Sequence, residues 1–347
     1  MKYDIVDNFA EIKHIPCVLK VGNLDRVINP ELSVVVPTYK RTELLEETID
    51  SILNQNDVDF KYEIVVVDND DSSDANETEL MLRKRNIPNL FYYKNNVNVG
   101  AVGNWNRCVL LARSKWIIMC HDDDLLKEDC LSTIHKIIIE HQNDKIPIGY
   151  IRSSSEPFYE TGLNAVERKK PKRFPKKRTA LIHQGYSDVI WGGGVTWVGA
   201  PTCGTLLNRE AVFAVGGYNK SHYPCPDCYV PYHMLGNYGV FKTYYSFGRY
   251  RWGQNDTYRK TTLVRLIAAY YEFLEILSNK HRIVKFFRNE HYADCVKYYI
   301  GKGKEVGVEI TDIEIASIKP LRYSKVKLKL LYFCRKVNNR TKVILAR

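Results

Sequence analysis

Apolar residues fall along this chain in two rhythms. Short unbroken runs, such as Leu32-Ser33-Val34-Val35-Val36 and Tyr62-Glu63-Ile64-Val65-Val66-Val67, alternate with longer stretches in which Leu44, Leu45, Thr48, Ile49 and Ile52 share one face. A continuous β-branched run predicts a strand buried on both sides, and a spacing of three or four predicts an amphipathic helix. The pattern predicts strands near 32–36, 62–67, 90–93, 116–120 and 148–151. Helices are predicted over 43–54, 75–85, 100–112 and 131–142, with Thr42 and Asn98 as amino-terminal caps. Strand alternating with helix in this way predicts an α/β fold with a mainly parallel sheet flanked by helices.

Such sheets bind ligands outside the carboxyl ends of their strands, so the residues delivered there carry the chemistry. Pro37-Thr38-Tyr39-Lys40-Arg41 follows the first strand, Asp68-Asn69-Asp70-Asp71 the second, and His121-Asp122-Asp123-Asp124 ends the run that begins at Trp116. Three adjacent carboxylates repel one another, and hard divalent cations take carboxylate oxygens. The triplet therefore reads as a metal site for a phosphorylated ligand; a solvated acidic loop is the plainer alternative. Convergence of all three segments on one edge favours the site. No Gly-x-Gly-x-x-Gly turn follows the first strand and no Gly-Lys-Ser/Thr loop occurs, which argues against dinucleotide and P-loop chemistry.

At 347 residues with a formal net charge of +11, the chain can bury a large core and favours anionic partners. Nine cysteines are scattered without a framework, no stretch reads as a secretory signal, and no apolar run approaches the roughly 20 residues of a membrane span. A reducing cytosol is the expected setting. The basic run over 166–178 reads either as a solvated loop or as a lid over an anionic ligand. Trp191-Gly192-Gly193-Gly194-Val195-Thr196-Trp197 suggests backbone held close to a flat or sugar-like surface, or a packing turn.

Taken in order, these segments resemble the inverting glycosyltransferases of family 2, which have the GT-A fold. The resemblance rests on Val34–Arg41, Val65-Val66-Val67-Asp68-Asn69, Asn98-Val99-Gly100 with Asn104 and Asn106, the Asp-x-Asp-like 121–124, and Gly204 through Glu210 with Gly216-Gly217-Tyr218. Pro226-Asp227 sits where the family carries a Glu-Asp base motif. The resemblance implies a catalytic domain over 31–255, preceded by an extension at 1–30 and followed by a helical region at 256–347. It also implies that Pro37, Thr38, Tyr39, Arg41, Asp68, Asn98, Asn106, Asp122, Asp123 and Gly204 meet the nucleotide sugar. Asp124, alone or with Asp123, would hold Mn2+ or Mg2+ on the diphosphate, and Asp227 would be the general base, with Glu210 and Asp256 next in line. Two departures matter: Asp70 and Asp71 add acid after Asp68, and Pro226 replaces the usual Glu.

The implied donor is a nucleotide sugar, UDP-linked on family grounds. The implied acceptor is a glycan or a polyprenyl-diphosphate-linked hydroxyl in bacterial O-antigen, capsule or related polysaccharide assembly, with no nucleic-acid partner. Competing readings are a nucleotidyltransferase acting on sugar phosphates, for which the first loop lacks glycine, and a binding protein without turnover. His222-x-x-Cys225-x-x-Cys228 with His233 has zinc-like spacing, with a redox pair or plain buried cysteines as alternatives. Towards the carboxyl end, 261–279 and 282–300 read as aromatic-rich helices, and 319–347 contains no acid and reads as a basic amphipathic helix. Such a helix lies either on an anionic membrane surface or on the domain with a solvated basic face.

Overall fold

Leu32, Val34 and Val36 point into one apolar core and Val35 into another, and Ile64, Val66 against Val65, Val67 repeat the division on the next strand. Alternation of side chains along a strand with both faces covered is why these runs are continuously apolar. The structure, a computed structural model, describes residues 4–159, 179–194, 199, 202–252 and 259–345. Residues 166–178, 195–197 and Asp256, singled out above, lie outside them.

Ten strands form one sheet. They are β1 (Cys17–Val21), β2 (Leu32–Thr38), β3 (Tyr62–Asp68), β4 (Leu90–Asn95), β5 (Trp116–Met119), β6 (Leu125–Leu126), β7 (Ile148–Tyr159), β8 (Ile182–Gln184), β9 (Thr205–Asn208) and β10 (Gly239–Trp252). The order is β1-β4-β3-β2-β5-β9-β7-β10-β6, with β8 paired to β10. β4, β3, β2 and β5 run parallel, as do β7 and β10, while β9 lies antiparallel between β5 and β7. Thr38 pairs with Asp68 and Val35 with Met119 in register, so the loops after β2, β3 and β5 open on one edge.

The helices follow the apolar periods within a residue or two: Thr42–Leu53, Glu77–Arg85, Gly100–Leu111 and Cys130–His141. Two expected caps differ. Thr42 is already helical, the cap position being Arg41 without a side-chain cap, and the Thr42 hydroxyl bonds that of Thr78 instead. Val99 occupies the cap position of the third helix, although Asn98 Oδ1 still accepts from Gly100 N at 2.9 Å.

The first thirty residues are more than an extension. β1 pairs antiparallel with β4, Phe9 and Ile12 are buried, and Asn8 N donates to Gly216 O. β1 gave little pattern because its residues are only half-buried, with Val18 exposed. Beyond β10 come the helices Lys260–Lys280, Arg282–Phe286, Arg288–Glu305, Asp312–Ile318 and Lys325–Leu345. Among the described residues no helix is long and apolar enough to cross a membrane.

Candidate active site

The strand ends bring together the acids that the pattern placed there. Thr38 Oγ1, at the end of β2, donates to Asp122 Oδ2 at 2.8 Å. Arg41 Nη1 reaches Asp122 Oδ1 at 3.4 Å and Asp123 Oδ2 at 3.0 Å, partly offsetting their repulsion. Burial and then the neighbouring Asp123 charge push Asp122 up to about 6 against these contacts. Asp124 is wholly buried; its Oδ1 accepts from Arg251 N at 3.0 Å, and Oδ2 has no hydrogen-bond partner. Burial and the Asp123 charge raise its carboxyl well above the ordinary range. Arg251 Nε also donates to Asp123 O at 2.9 Å, and its guanidinium pairs with Glu47.

His121 completes the cluster. One ligand atom each from His121, Asp123 and Asp124 lie within 4.8 Å of one another, and this is the one grouping of three such residues among those described. His121 Nε2 is buried without a partner, and burial lowers the ring's proton affinity, which favours the neutral imidazole that coordinates metals. Two buried atoms with unused lone pairs, one nitrogen and one carboxylate oxygen, fit a divalent ion: a buried polar atom without a partner is otherwise costly. The zinc alternative lacks this convergence. The His222 ring stacks on Tyr229 at 3.8 Å, His233 lies 6.2 Å away, and all nine cysteines are free thiols.

Around the cluster the structure separates groups facing the edge from groups that hold it. Tyr39 is exposed at the edge with Lys40 Nζ 5.2 Å from its ring, and Pro37 is buried beside Val67. Asp68 is wholly buried, accepting from Asn76 Nδ2 and Tyr92 OH at 2.8 Å and from Asp70 N at 2.9 Å. Asp70 is likewise buried and bound by Ser72 and Asn76, which leaves Asp71 and Asp74 as the exposed acids of this loop. Asn98 Oδ1 accepts from Asn69 Nδ2 at 2.7 Å, in an amide network that continues through Asn95 to Asn104 and on to Val67 O. These contacts brace the ends of β2, β3 and β4.

Three residues expected at the donor have structural contacts of their own. Asn106 is 2% exposed and uses both ends of its amide on the backbone of Tyr218, and Asn98 belongs to the bracing network. Gly204 has φ +68°, and a Cβ there would lie 2.8 Å from Phe247 Cβ, so its identity follows from backbone conformation and core packing. Glu210 sits past Asn208, which pairs with Trp116 at the start of β5, and so lies at the opposite edge from the acids.

Asp227 is the second residue of the helix Pro226–Met234, in its first turn after Pro226. Burial raises its carboxyl to about 6, with its own and Cys228's backbone N–H groups opposing the shift. Its charge reaches Tyr218, a buried phenol. Tyr218 meets the Trp105 ring edge-on at 5.5 Å, and Trp105 stacks on His121 at 5.1 Å. An aromatic chain therefore runs from His121 in the acid cluster through Trp105 to Tyr218. The sequence pattern did not mark His121 as a candidate ligand although it adjoins the triplet, nor Arg251, whose place beside Asp124 is set by the pairing of β10 with β6.

Residues 33–196 match the family model described as Glycosyl transferase family 2. Over 106 residues the chain is 37% identical to the GalNAc(5)-diNAcBac-PP-undecaprenol beta-1,3-glucosyltransferase of Campylobacter jejuni, covering 30% of this chain and 33% of that one. The chain spans between about a fifth and two thirds of the length of the curated relatives it matches. The crystal structure of S. aureus TarS 1–349 in complex with UDP superposes with a TM-score of 0.54 at 15% identity, covering 91% of this chain and 88% of that one. The mannosyltransferase PcManGT from Pyrobaculum calidifontis, in complex with GDP-Man and Mn2+, does so with a TM-score of 0.50 at 15% identity, covering 92% and 89%. At these identities the structural likeness is one of fold. Residues 33–196 are therefore similar to a glycosyl transferase family 2 domain, and the fold is the GT-A fold.

Proposed function

We propose that the protein transfers a sugar from a nucleoside diphosphate sugar to a hydroxyl of a glycan or lipid-linked acceptor, with inversion at the anomeric carbon. The observation that carries this reading is the convergence of His121, Asp123 and Asp124, with buried unpartnered atoms on His121 and Asp124, at the sheet edge. A UDP-linked donor is supported by the complex of S. aureus TarS with UDP, and a lipid-linked acceptor by the name of the C. jejuni relative.

In this reading His121, Asp123 and Asp124 hold Mn2+ or Mg2+. When bound, the ion neutralises charge that grows on the departing diphosphate. Tyr39 offers an exposed ring against which the base can lie, and Arg41, already at the edge beside Asp122 and Asp123, supplies a guanidinium for phosphate oxygens. Thr38 fixes the Asp122 carboxylate by its hydroxyl. Asp227 takes the proton from the acceptor hydroxyl as that oxygen attacks from the face opposite the leaving group. A carboxyl raised to about 6 is still mostly ionised at neutral pH and is a stronger base than an ordinary aspartate. One displacement of this kind inverts the centre, and no covalent nucleophile is needed.

The test is a donor screen read by release of nucleoside diphosphate in the presence of Mn2+, with the anomeric configuration of the product determined by NMR. The reading predicts release from one UDP-sugar and a product of opposite configuration. Release of inorganic pyrophosphate from a nucleoside triphosphate and a sugar phosphate would instead indicate nucleotidyl transfer.

A further inference from the structure

The helix Lys325–Leu345 has two apolar faces, and only one of them is covered by the fold. Leu328 and Leu331 pack with Phe287, Trp191 and Tyr323. Arg335, 8% exposed, donates to the carbonyls of Trp191 at 2.6 Å and Gly192 at 3.1 Å and pairs with Asp294. A guanidinium on the carbonyl end of the helix Tyr186–Gly192 satisfies groups that this helix leaves open. Asn338 and Lys342 both reach Asp188. These contacts fix the rotation of the long helix about its own axis.

On the opposite face Val326, Leu330, Phe333, Val337 and Ile344 recur at helical spacing, with exposures of 77%, 47%, 63%, 47% and 60%. Lys325, Lys329, Lys336 and Arg340 flank this stripe; all four are exposed, and they make no ion pair among the described residues. Residues 325–345 include no Asp or Glu. The neighbouring helix Arg282–Phe286 extends the surface with exposed Ile283 and Phe286, the ring of Phe286 lying 4.0 Å from Lys327 Nζ.

An apolar stripe of this size costs free energy in water, which calls for a partner. A second copy of this chain is a poor one, because a two-fold contact brings each copy's basic flank onto the same self-complementary patch. An anionic lipid surface satisfies both parts: acyl chains take the stripe and headgroup phosphates take the lysines and arginine. We propose that this face docks on an anionic phospholipid surface, with the helix lying in the plane of the interface while its buried face stays packed on the domain. The proposal goes beyond sugar transfer and holds whichever donor is used.

The full chain is tested by co-sedimentation with vesicles of phosphatidylglycerol and phosphatidylcholine and, separately, of phosphatidylcholine alone. Point variants are preferred to truncation, since removing the helix uncovers Phe287 and breaks the Arg335 contacts. The expected result is sedimentation with anionic vesicles, lost in Phe333→Glu/Val337→Glu and weakened by about two orders of magnitude in Lys329→Gln/Lys336→Gln/Arg340→Gln, with Tm unchanged in the charge variant. Undiminished sedimentation of either variant, or equal binding to neutral vesicles, overturns the proposal. A wild-type dimer in light scattering that Phe333→Glu/Val337→Glu dissolves, without vesicle binding, assigns the face to a second copy and overturns it as well.

Discussion

Asn106 and Tyr218 exchange two hydrogen bonds: Asn106 Nδ2 donates to Tyr218 O and Tyr218 N donates to Asn106 Oδ1, both at 2.8 Å. The pair ties the helix Gly100–Leu111 to the Gly216-Gly217 turn, where a Cβ on Gly217 would stand 2.6 Å from Asn106 Oδ1. It thereby sets the height of the Tyr218 ring against Trp105, and through Trp105 the packing around His121.

Asn106→Ala should therefore act on stability more than on donor contacts. Two buried backbone groups lose their partners, which costs about 1–3 kcal/mol each when no water replaces the amide. Chemical denaturation is expected to show a loss of that order, and UDP affinity measured under native conditions should change little. A large loss of UDP affinity with stability intact would return Asn106 to the donor pocket.

Gly204→Ala makes a second test of scaffold against ligand. An alanine at φ +68° is strained and its Cβ meets Phe247, so a fall in Tm is expected even without any ligand present. An unchanged Tm with impaired sugar binding would contradict the packing explanation.

For Asp227 the sign of the pH effect is fixed by its raised carboxyl. The folded chain holds this proton up to about 6, above the ordinary aspartate value, so between those values the folded state binds more protons than the unfolded one. Asp227 therefore lowers stability as pH rises through that window, and the cost is complete above it. Asp227→Asn removes the cost and should stabilise the apo protein at pH 7 by on the order of 1–3 kcal/mol. In the same variant transfer should fall by about two or more orders of magnitude with donor affinity near wild type, and the acidic limb of wild-type kcat should lie near the raised value. Near-normal transfer by Asp227→Asn would place the base elsewhere.

Much of this was legible before any coordinates. Runs such as Val34-Val35-Val36 and Ile64–Val67 declared buried parallel strands because both faces of the sheet are covered, and the loops after them had to share an edge. The acids at 122–124 stood out because a strand ended in three like charges. What stayed hidden depends on long-range pairing. β9 enters antiparallel and carries Gly204 to the edge but Glu210 away from it, and β10 brings Arg251 to Asp124 across 127 residues of chain. Amide side chains were the hardest to read. Asn98 and Asn106 share the composition of a ligand-binding segment, yet their partners are Asn69 and the Tyr218 backbone.

His121 separates a carboxylate-only metal site from a mixed one. With Mn2+ bound, electron spin echo spectroscopy should show coupling to an imidazole nitrogen that disappears in His121→Gln, and Mn2+ affinity should fall more than Mg2+ affinity because imidazole suits the softer ion. Absence of nitrogen coupling in the wild type would restrict the ligands to Asp123 and Asp124.

The central claim is that the cluster at the end of β5 binds a divalent ion that in turn holds a nucleoside diphosphate. Titration calorimetry of UDP into the full chain, with Mn2+ and with EDTA, and into Asp124→Asn with Mn2+, tests it most directly. The account predicts tight binding only for the wild type with Mn2+, and affinity lower by at least about tenfold in the other two cases. Equal UDP affinity in all three would contradict it.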